Sequence, residues 1–248
     1  DWSSDVCSSD LAFSIGMVDV EVCNGFNHKR YSNMMNTQLI ETQKILLVKR
    51  SYRISKRIFD ISLCLIAAPA IILLMAVIAL LIFIDDPGPI IFKQMRTGKG
   101  GHRFAMYKFR TMVTNAEELK QKYAHLNELT WPDFKITNDP RVTRIGRILR
   151  KTSLDELPQF INVIKGEMSL VGPRPTSFDV STYSLWHTER LEVLPGVTGL
   201  WQVNGRSDVD FDERLRLDIE YIERQSLWLD IQILISTFTV IFTQRGAY

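Results

Sequence analysis

The chain reads as a helix-rich α/β (α+β) globular domain behind an N-terminal re-entrant membrane helix, with amphipathic interfacial helices. Three observations predict this. No residue from Ile61 to Ile84 is charged. Short alternating segments and amphipathic segments are interleaved between residues 87 and 225. Leu227–Phe242 is apolar-rich but interrupted by Asp230, Gln232, Ser236, Thr237 and Thr239. A length of 248 residues is enough for one domain with a real core plus a membrane element.

Residues 1–11 read as the translation of a sequencing adapter and are set aside. Residues 12–51 form a polar, mixed extension expected to be poorly ordered, with a short strand or helix at Gln38–Val48. No basic stretch precedes an apolar one there, so no signal peptide is expected. The three cysteines have neither metal spacing nor a paired framework, which points to a reducing compartment. A net charge of +2 makes no case for nucleic acid as a partner.

Residues 52–86 hold a basic flank and the membrane helix. At ~1.5 Å per residue the uncharged run reaches about 36 Å, against a hydrocarbon core of roughly 30 Å. Pro69 cannot donate to the carbonyl of Leu65 and its ring crowds that position, so a break is expected there. Lys49, Arg50, Arg53, Lys56 and Arg57 precede the run; Lys93, Arg96, Lys99, Arg103, Lys108 and Arg110 follow it. Positive charge marks the cytoplasmic side. A helix that enters, bends at Pro69 and returns satisfies both flanks.

Residues 87–225 form the expected catalytic domain. Asp86-Pro87-Gly88-Pro89 is a turn, Ile90–Phe92 starts a strand, and Gly98–Gly101 suits a hairpin turn better than a phosphate cradle. Phe104–Arg110 alternates as a strand with Lys108 and Arg110 on one face. Helices are expected at Asn115–Leu129, at Phe160–Lys165 with Gly166 ending it, and at Asp210–Gln225, while Arg144–Leu149 leads toward the carboxylate pair. Residues 226–248 form an amphipathic C-terminal helix, lying either in the headgroup plane or against the domain core.

The chemistry concentrates at Leu149-Arg150-Lys151-Thr152-Ser153-Leu154-Asp155-Glu156-Leu157-Pro158-Gln159. Ser153 and Glu156 fit a capping box, which would place Asp155 and Glu156 at a helix N-terminus. Pro158 then lies either in the first turn or, with the cap at Ser153, at the fifth position, where it forfeits one bond. Such an end receives anions and metal-phosphates. Pro173-Arg174-Pro175 fixes the backbone on both sides of one guanidinium and suits bidentate phosphate binding. The four histidines show neither catalytic nor zinc spacing.

These segments resemble the bacterial sugar transferases, the monotopic polyprenyl-phosphate phosphoglycosyl transferases, over about residues 52–247. The resemblance rests on Lys56-Arg57-Ile58-Phe59-Asp60, Pro87-Gly88-Pro89, Lys108-Phe109-Arg110-Thr111-Met112 and the Arg150–Gln159 run. It continues through Gly172-Pro173-Arg174-Pro175 and Pro195-Gly196-Val197-Thr198-Gly199-Leu200-Trp201-Gln202-Val203-Asn204-Gly205-Arg206. It implies transfer of a sugar 1-phosphate, with a hexose indicated by analogy, from a UDP-sugar to undecaprenyl phosphate with release of UMP. It places the enzyme at membrane lipid on the cytoplasmic face of the bacterial inner membrane.

By the same resemblance Asp155 is the nucleophile that takes the phosphosugar, and Glu156 is the partner acid. Asp155 and Glu156 together hold Mg²⁺. Lys108, Arg110, Arg150, Pro173, Arg174, Pro175 and Arg206 bind substrate. Pro69 matches the family's helix break, but Ala68 stands where members often have Ser, which leaves the kink resting on proline. Larger members carry an N-terminal helical bundle; this chain reads as the catalytic module with a short extension, or as a truncated reading frame. A homodimer stays open.

The residue chemistry agrees. Two carboxylates facing a diphosphate call for a divalent cation. A carboxylate is an accepted covalent phosphoryl acceptor, and neighbouring cations and a helix N-terminus are expected to keep Asp155 ionised. Two competing readings are a conventional glycosyltransferase that releases UDP and a non-enzymatic membrane-surface adaptor.

Overall fold

The computed structural model describes residues 28–128, 136–179, 182, 185–204 and 211–243. Asp1–Arg50 and Ser51–Tyr248 form separate compact units, and every element that carries the site belongs to the second. Helix α1 (His28–Asp85) stays helical through Pro69, and its Gln38–Val48 stretch is helix rather than strand. Its Arg50–Asp85 portion is long and apolar enough to cross a membrane, with 11% of its most apolar window buried.

The two arms of α1 on either side of Pro69 both dock on the globular domain. The earlier arm places Cys64 in a core cluster with Met106, Val163, Met168, Tyr221 and Ile233. The later arm places Ile78 and Ile82 in a second cluster with Phe109 and Leu149. Between them Leu65, Ile66, Ile72 and Leu73 are 61–77% exposed. Apolar side chains left uncovered over this stretch are the part of the helix that fits lipid rather than protein.

Polar contacts pin the first arm. Arg57 Nη1 donates to the Val163 carbonyl at 2.6 Å, and Ser169 Oγ donates to Asp60 at 2.7 Å. Asp230, fully buried, accepts from Tyr52 Oη at 3.0 Å, Lys56 Nζ at 3.0 Å and Tyr221 Oη at 2.7 Å. A buried carboxylate is tolerable only when paired and hydrogen-bonded, and these donors meet that condition.

Two small sheets organise the rest. β1 (Ile91–Thr97) pairs antiparallel with β2 (Arg103–Phe109), with Phe92 opposite Lys108. Gly100 and Gly101 turn the hairpin at φ +64° and +79°, a backbone region that suits glycine. β3 (Ser169–Val171) pairs parallel with β4 (Gly196–Thr198). These two strands have no counterpart in the sequence reading, since three residues are too few to show a period. A Cβ on Gly196 would stand 2.1 Å from the Gly172 nitrogen, so only glycine permits that pairing.

Helices fill in as α2 (Ala116–Lys122), α3 (Arg144–Thr152), α4 (Gln159–Lys165), α5 (Leu200–Asn204), α6 (Phe211–Arg224) and α7 (Leu227–Thr243). Gly166 ends α4 in the left-handed region at φ +83°, as expected. α2 is shorter than the expected Asn115–Leu129: it ends at Lys122, and Ala124–Leu126 is a 3-10 turn. Leu129 lies outside the described residues. α7 buries Asp230 and Ile233 against the core while Trp228, Ile235 and Phe238 stay 61–67% exposed. It therefore packs on the domain by one face and leaves an apolar face open.

Candidate active site

The carboxylate pair lies between α3 and α4, but not in the geometry of a capping box. Thr143 caps α3 by accepting from Gly146 N at 3.0 Å. Ser153 then adopts a left-handed conformation at φ +58° as the C-cap of α3, and its side chain caps nothing. Leu154–Glu156 form a 3-10 turn, and Pro158 is the N-cap of α4, where its missing N–H leaves no bond unmade. Asp155 and Glu156 thus occupy a tight turn before α4 rather than its first turn. The left-handed reversal at Ser153 is the physical reason for this correction.

Three elements converge on Glu156. Lys108, next to last in β2, donates from Nζ to Oε1 at 2.7 Å. Arg174, from the loop after β3, reaches both carboxylate oxygens; Nη1 to Oε2 measures 3.1 Å, and Nη2 donates to Oε1. Side-chain exposure of Glu156 is 15%. Burial pushes its carboxyl up, but the charges and hydrogen bonds of Arg174 and Lys108 outweigh this and hold it well below the usual carboxylate range.

Asp155 has the opposite environment. No hydrogen bond or ion pair reaches its carboxylate from the described residues. Burial pushes its carboxyl above the ordinary value; Glu156 adds to this, while Lys108, Arg174 and Arg150 oppose it without cancelling it. The sequence reading has cations and a helix N-terminus holding this group ionised. In the fold, desolvation outweighs the cations, and α4 starts only after Pro158.

The other expected site residues separate into groups. Arg150 Nε donates to Thr111 Oγ1 at 2.9 Å, with its charge felt at Asp155. Pro173 and Pro175 are buried beside Arg174. Arg110 does not join Lys108 at Glu156: its buried guanidinium turns to Asp86, Nη1 to Oδ2 3.1 Å. It fills the space beside Gly88, where a Cβ would stand 2.7 Å from Arg110 Nη1, so it ties down the Asp86–Gly88 turn. Arg206 lies outside the described residues.

Among the described residues no group of three or more His, Cys, Asp or Glu could hold a metal ion. Mg²⁺ shared with substrate phosphates needs only one or two carboxylates and water. The donors fit that kind of ion: Asp155 has open lone pairs beside Glu156, whose oxygens already accept from Lys108 and Arg174.

Sequence reasoning missed Arg190 and Asp218. Arg190 Nη2 donates to the Arg174 carbonyl and to Asp218 Oδ2, each at 2.6 Å. Arg190 is 5% exposed and Asp218 1%. The one available signal is a charged residue at position 218 on the inward face of amphipathic α6, beside Leu215 and Tyr221.

The chain is similar to proteins of known name. "Galactosyl transferase CpsE" of Streptococcus agalactiae is 43% identical over 83% of this chain and 46% of its own length. "Undecaprenyl-phosphate galactose phosphotransferase" of Salmonella typhimurium is 46% identical over 82% and 43%. "Exopolysaccharide production protein ExoY" of Sinorhizobium fredii is 39% identical over 79% and 88%. The chain thus spans less than half the length of the first two and most of the third. The sequence model of the family described as "Bacterial sugar transferase" matches residues 51–244, which takes in both arms of the apolar helix, the carboxylate turn and the Arg174 loop, and the chain belongs to that family.

Proposed function

We propose that this chain transfers a sugar 1-phosphate from a UDP-sugar to undecaprenyl phosphate with release of UMP. This is the first membrane step of exopolysaccharide, capsule or O-antigen assembly. The observation that carries the reading is a desolvated carboxylate at Asp155, without a partner among the described residues, beside a fully compensated one at Glu156. A buried carboxylate without donors contributes nothing to stability. Its lone pairs are free for a phosphorus centre.

In this reading Asp155 attacks the sugar-bearing phosphorus. The bond from that phosphorus to the bridging oxygen breaks, and UMP leaves with the electron pair. An oxygen of the lipid phosphate then attacks the same phosphorus and frees the Asp155 carboxylate. Lys108 and Arg174 neutralise Glu156, and Arg150 adds a third cation, so the cluster receives a diphosphate without net repulsion. Asp155 and Glu156 would hold Mg²⁺ with the diphosphate, and the ion would supply further charge neutralisation and Lewis acidity.

The helix geometry supports a re-entrant anchor on the cytoplasmic face. Both arms of α1 pack on the one domain, the stretch around Pro69 is apolar and exposed, and basic residues flank both ends. This holds the site at headgroup level, where the lipid phosphate is confined.

A screen of UDP-hexoses with undecaprenyl phosphate and Mg²⁺ tests the activity. UDP-galactose comes first, because two of the relatives' names specify galactose. UMP as the nucleotide product supports the reading. UDP as product would establish the conventional glycosyltransferase instead.

A further inference from the structure

We propose that Arg190 is a positioning residue for Arg174: anchored by Asp218, it clamps the Arg174 main-chain carbonyl and so aims the Arg174 guanidinium at Glu156. The proposal rests on the functional reading above for its kinetic arm and on geometry alone for its structural arm.

The segment from Gly172 to Thr176 is an irregular loop with two prolines, and its prolines have no N–H to donate. Gly172 N donates to Thr198 O at 2.9 Å, and three of the segment's carbonyls are held as well. Pro173 O accepts from Gly196 N at 2.9 Å, Arg174 O from Arg190 Nη2 at 2.6 Å, and Thr176 O from Thr97 N at 2.9 Å. The first and third donors are backbone groups of strands. The middle one is a side chain, and it acts on the residue whose guanidinium meets Glu156.

Arg190 is suited to that task. A guanidinium presents several donors in a rigid fork, so one nitrogen, Nη2, serves both the carbonyl and Asp218. Asp218 lies on α6, packed inward beside Leu215 and Tyr221. The chain of contact runs from α6 through Asp218 and Arg190 to Arg174, and from Arg174 to Glu156. Arg190 and Asp218 are both buried, so they act on the site through Arg174. A buried ion pair of this kind is not required for stability, because apolar residues of similar volume commonly replace such pairs without loss.

The test uses the full chain in lipid nanodiscs, with Arg190→Met, Asp218→Asn and the charge-free double variant Arg190→Met/Asp218→Leu. The readouts are the Tm, hydrogen exchange of the peptide spanning residues 169–179, and UMP release. The double variant removes both buried charges and is expected to recover the wild-type Tm. It is still expected to lose protection in 169–179 and to release UMP about 10²-fold more slowly, as a displaced catalytic group does. Asp218→Asn keeps an acceptor for Arg190 and should hold protection and keep activity within about threefold.

A double variant that recovers Tm, protection and rate together would make the pair merely structural and overturn the proposal. Asp218→Asn, folded, losing as much rate as Arg190→Met while residues 169–179 stay protected would overturn it as well. If wild type releases no UMP from any UDP-sugar, the functional reading fails instead, and exchange at 169–179 still decides whether Arg190 clamps the loop.

Discussion

Asp155 and Glu156 are neighbours in the chain and opposites in environment: Glu156 is gripped by Lys108 and Arg174, and none of the described residues donates to Asp155. The 3-10 turn separates their environments, with Glu156 aimed into the cations and Asp155 left outside their hydrogen bonds. Asp155→Asn is near-isosteric and should leave the fold intact while abolishing turnover by several orders of magnitude. Glu156→Gln releases Lys108 and Arg174 from their counter-charge and should cost about 10²–10³-fold, with slow turnover remaining. Steady-state UMP release by both variants, checked for folding by Tm, separates the two roles. Retention of more than about a tenth of the wild-type rate by Asp155→Asn would rule out the covalent role.

The raised pKa of Asp155 also has a stability consequence with a definite sign. The folded state binds this proton more tightly than the unfolded chain does. The contribution of Asp155 therefore favours folding below the ordinary carboxylate pKa and is lost as pH rises through the raised folded value. Asp155→Asn should accordingly have a higher Tm than wild type at pH 8, and the gap should close on acidification. Tm measured across pH 4 to 8 checks this. A variant less stable than wild type at pH 8 would mean that the carboxylate is held by favourable contacts after all.

Gly146 is the contact that places α3, and Arg150 with it. A Cβ there would stand 2.1 Å from the Thr111 carbonyl oxygen, which is backbone and cannot swing aside. The same Thr111 accepts Thr143 N at 3.1 Å through its carbonyl and Arg150 Nε at 2.9 Å through its hydroxyl. Gly146→Ala should destabilise the domain by about 1–3 kcal/mol, as overpacking does, and slow UMP release. Urea unfolding at matched m-value measures the first effect. An unchanged midpoint would show that α3 can lift from Thr111 freely.

The legible parts of this fold are those that local chemistry dictates. The uncharged run, the Gly166 stop and the strand alternation of β2 each follow from one segment's own residues. The carboxylate turn is legible as a site because Pro158 and the basic residues before it lie in the same ten positions. Its backbone is not, since Ser-x-x-Glu fits a capping box and only packing selects the left-handed Ser153. Arg190 and Asp218 are 28 positions apart, and nothing local to either segment pairs them. Asp230 reads as a blemish in an apolar tail; only the folded chain brings Tyr52, Lys56 and Tyr221 to it. Arg110 has a partner that the alternation of β2 does not disclose, since Asp86 lies 24 positions away.

The re-entrant reading predicts that Ser55 and Lys93 lie on the same, cytoplasmic side. Single-cysteine variants at these two positions, in a chain with its native cysteines replaced, should both resist a membrane-impermeant thiol reagent in intact cells. Labelling at one position alone would establish a true span. Pro69→Ala restores the donor to Leu65 and should shift the helix toward spanning, with new labelling at one flank.

The covalent mechanism makes a kinetic prediction that the overall reaction alone does not. If Asp155 takes the phosphosugar before the lipid phosphate arrives, the kinetics are ping-pong. UMP should appear in a burst of near one equivalent per enzyme with no acceptor present. Mass spectrometry of the quenched enzyme should find a hexose-phosphate adduct on the peptide containing Asp155, absent from Asp155→Asn and still present, at a slower rate, in Glu156→Gln. Chelation of divalent cations should abolish the burst. Lys108 and Arg174 already neutralise Glu156, so the requirement tests catalysis of phosphoryl transfer and not simple charge repulsion at the pair. The competing single-step route has lipid phosphate attacking the UDP-sugar directly. It needs a ternary complex and gives intersecting double-reciprocal lines, no acceptor-free burst and no adduct. That result would retire the phosphosugar-aspartate while leaving UMP as the product, and it would leave the lack of a donor to Asp155 among the described residues without a chemical purpose.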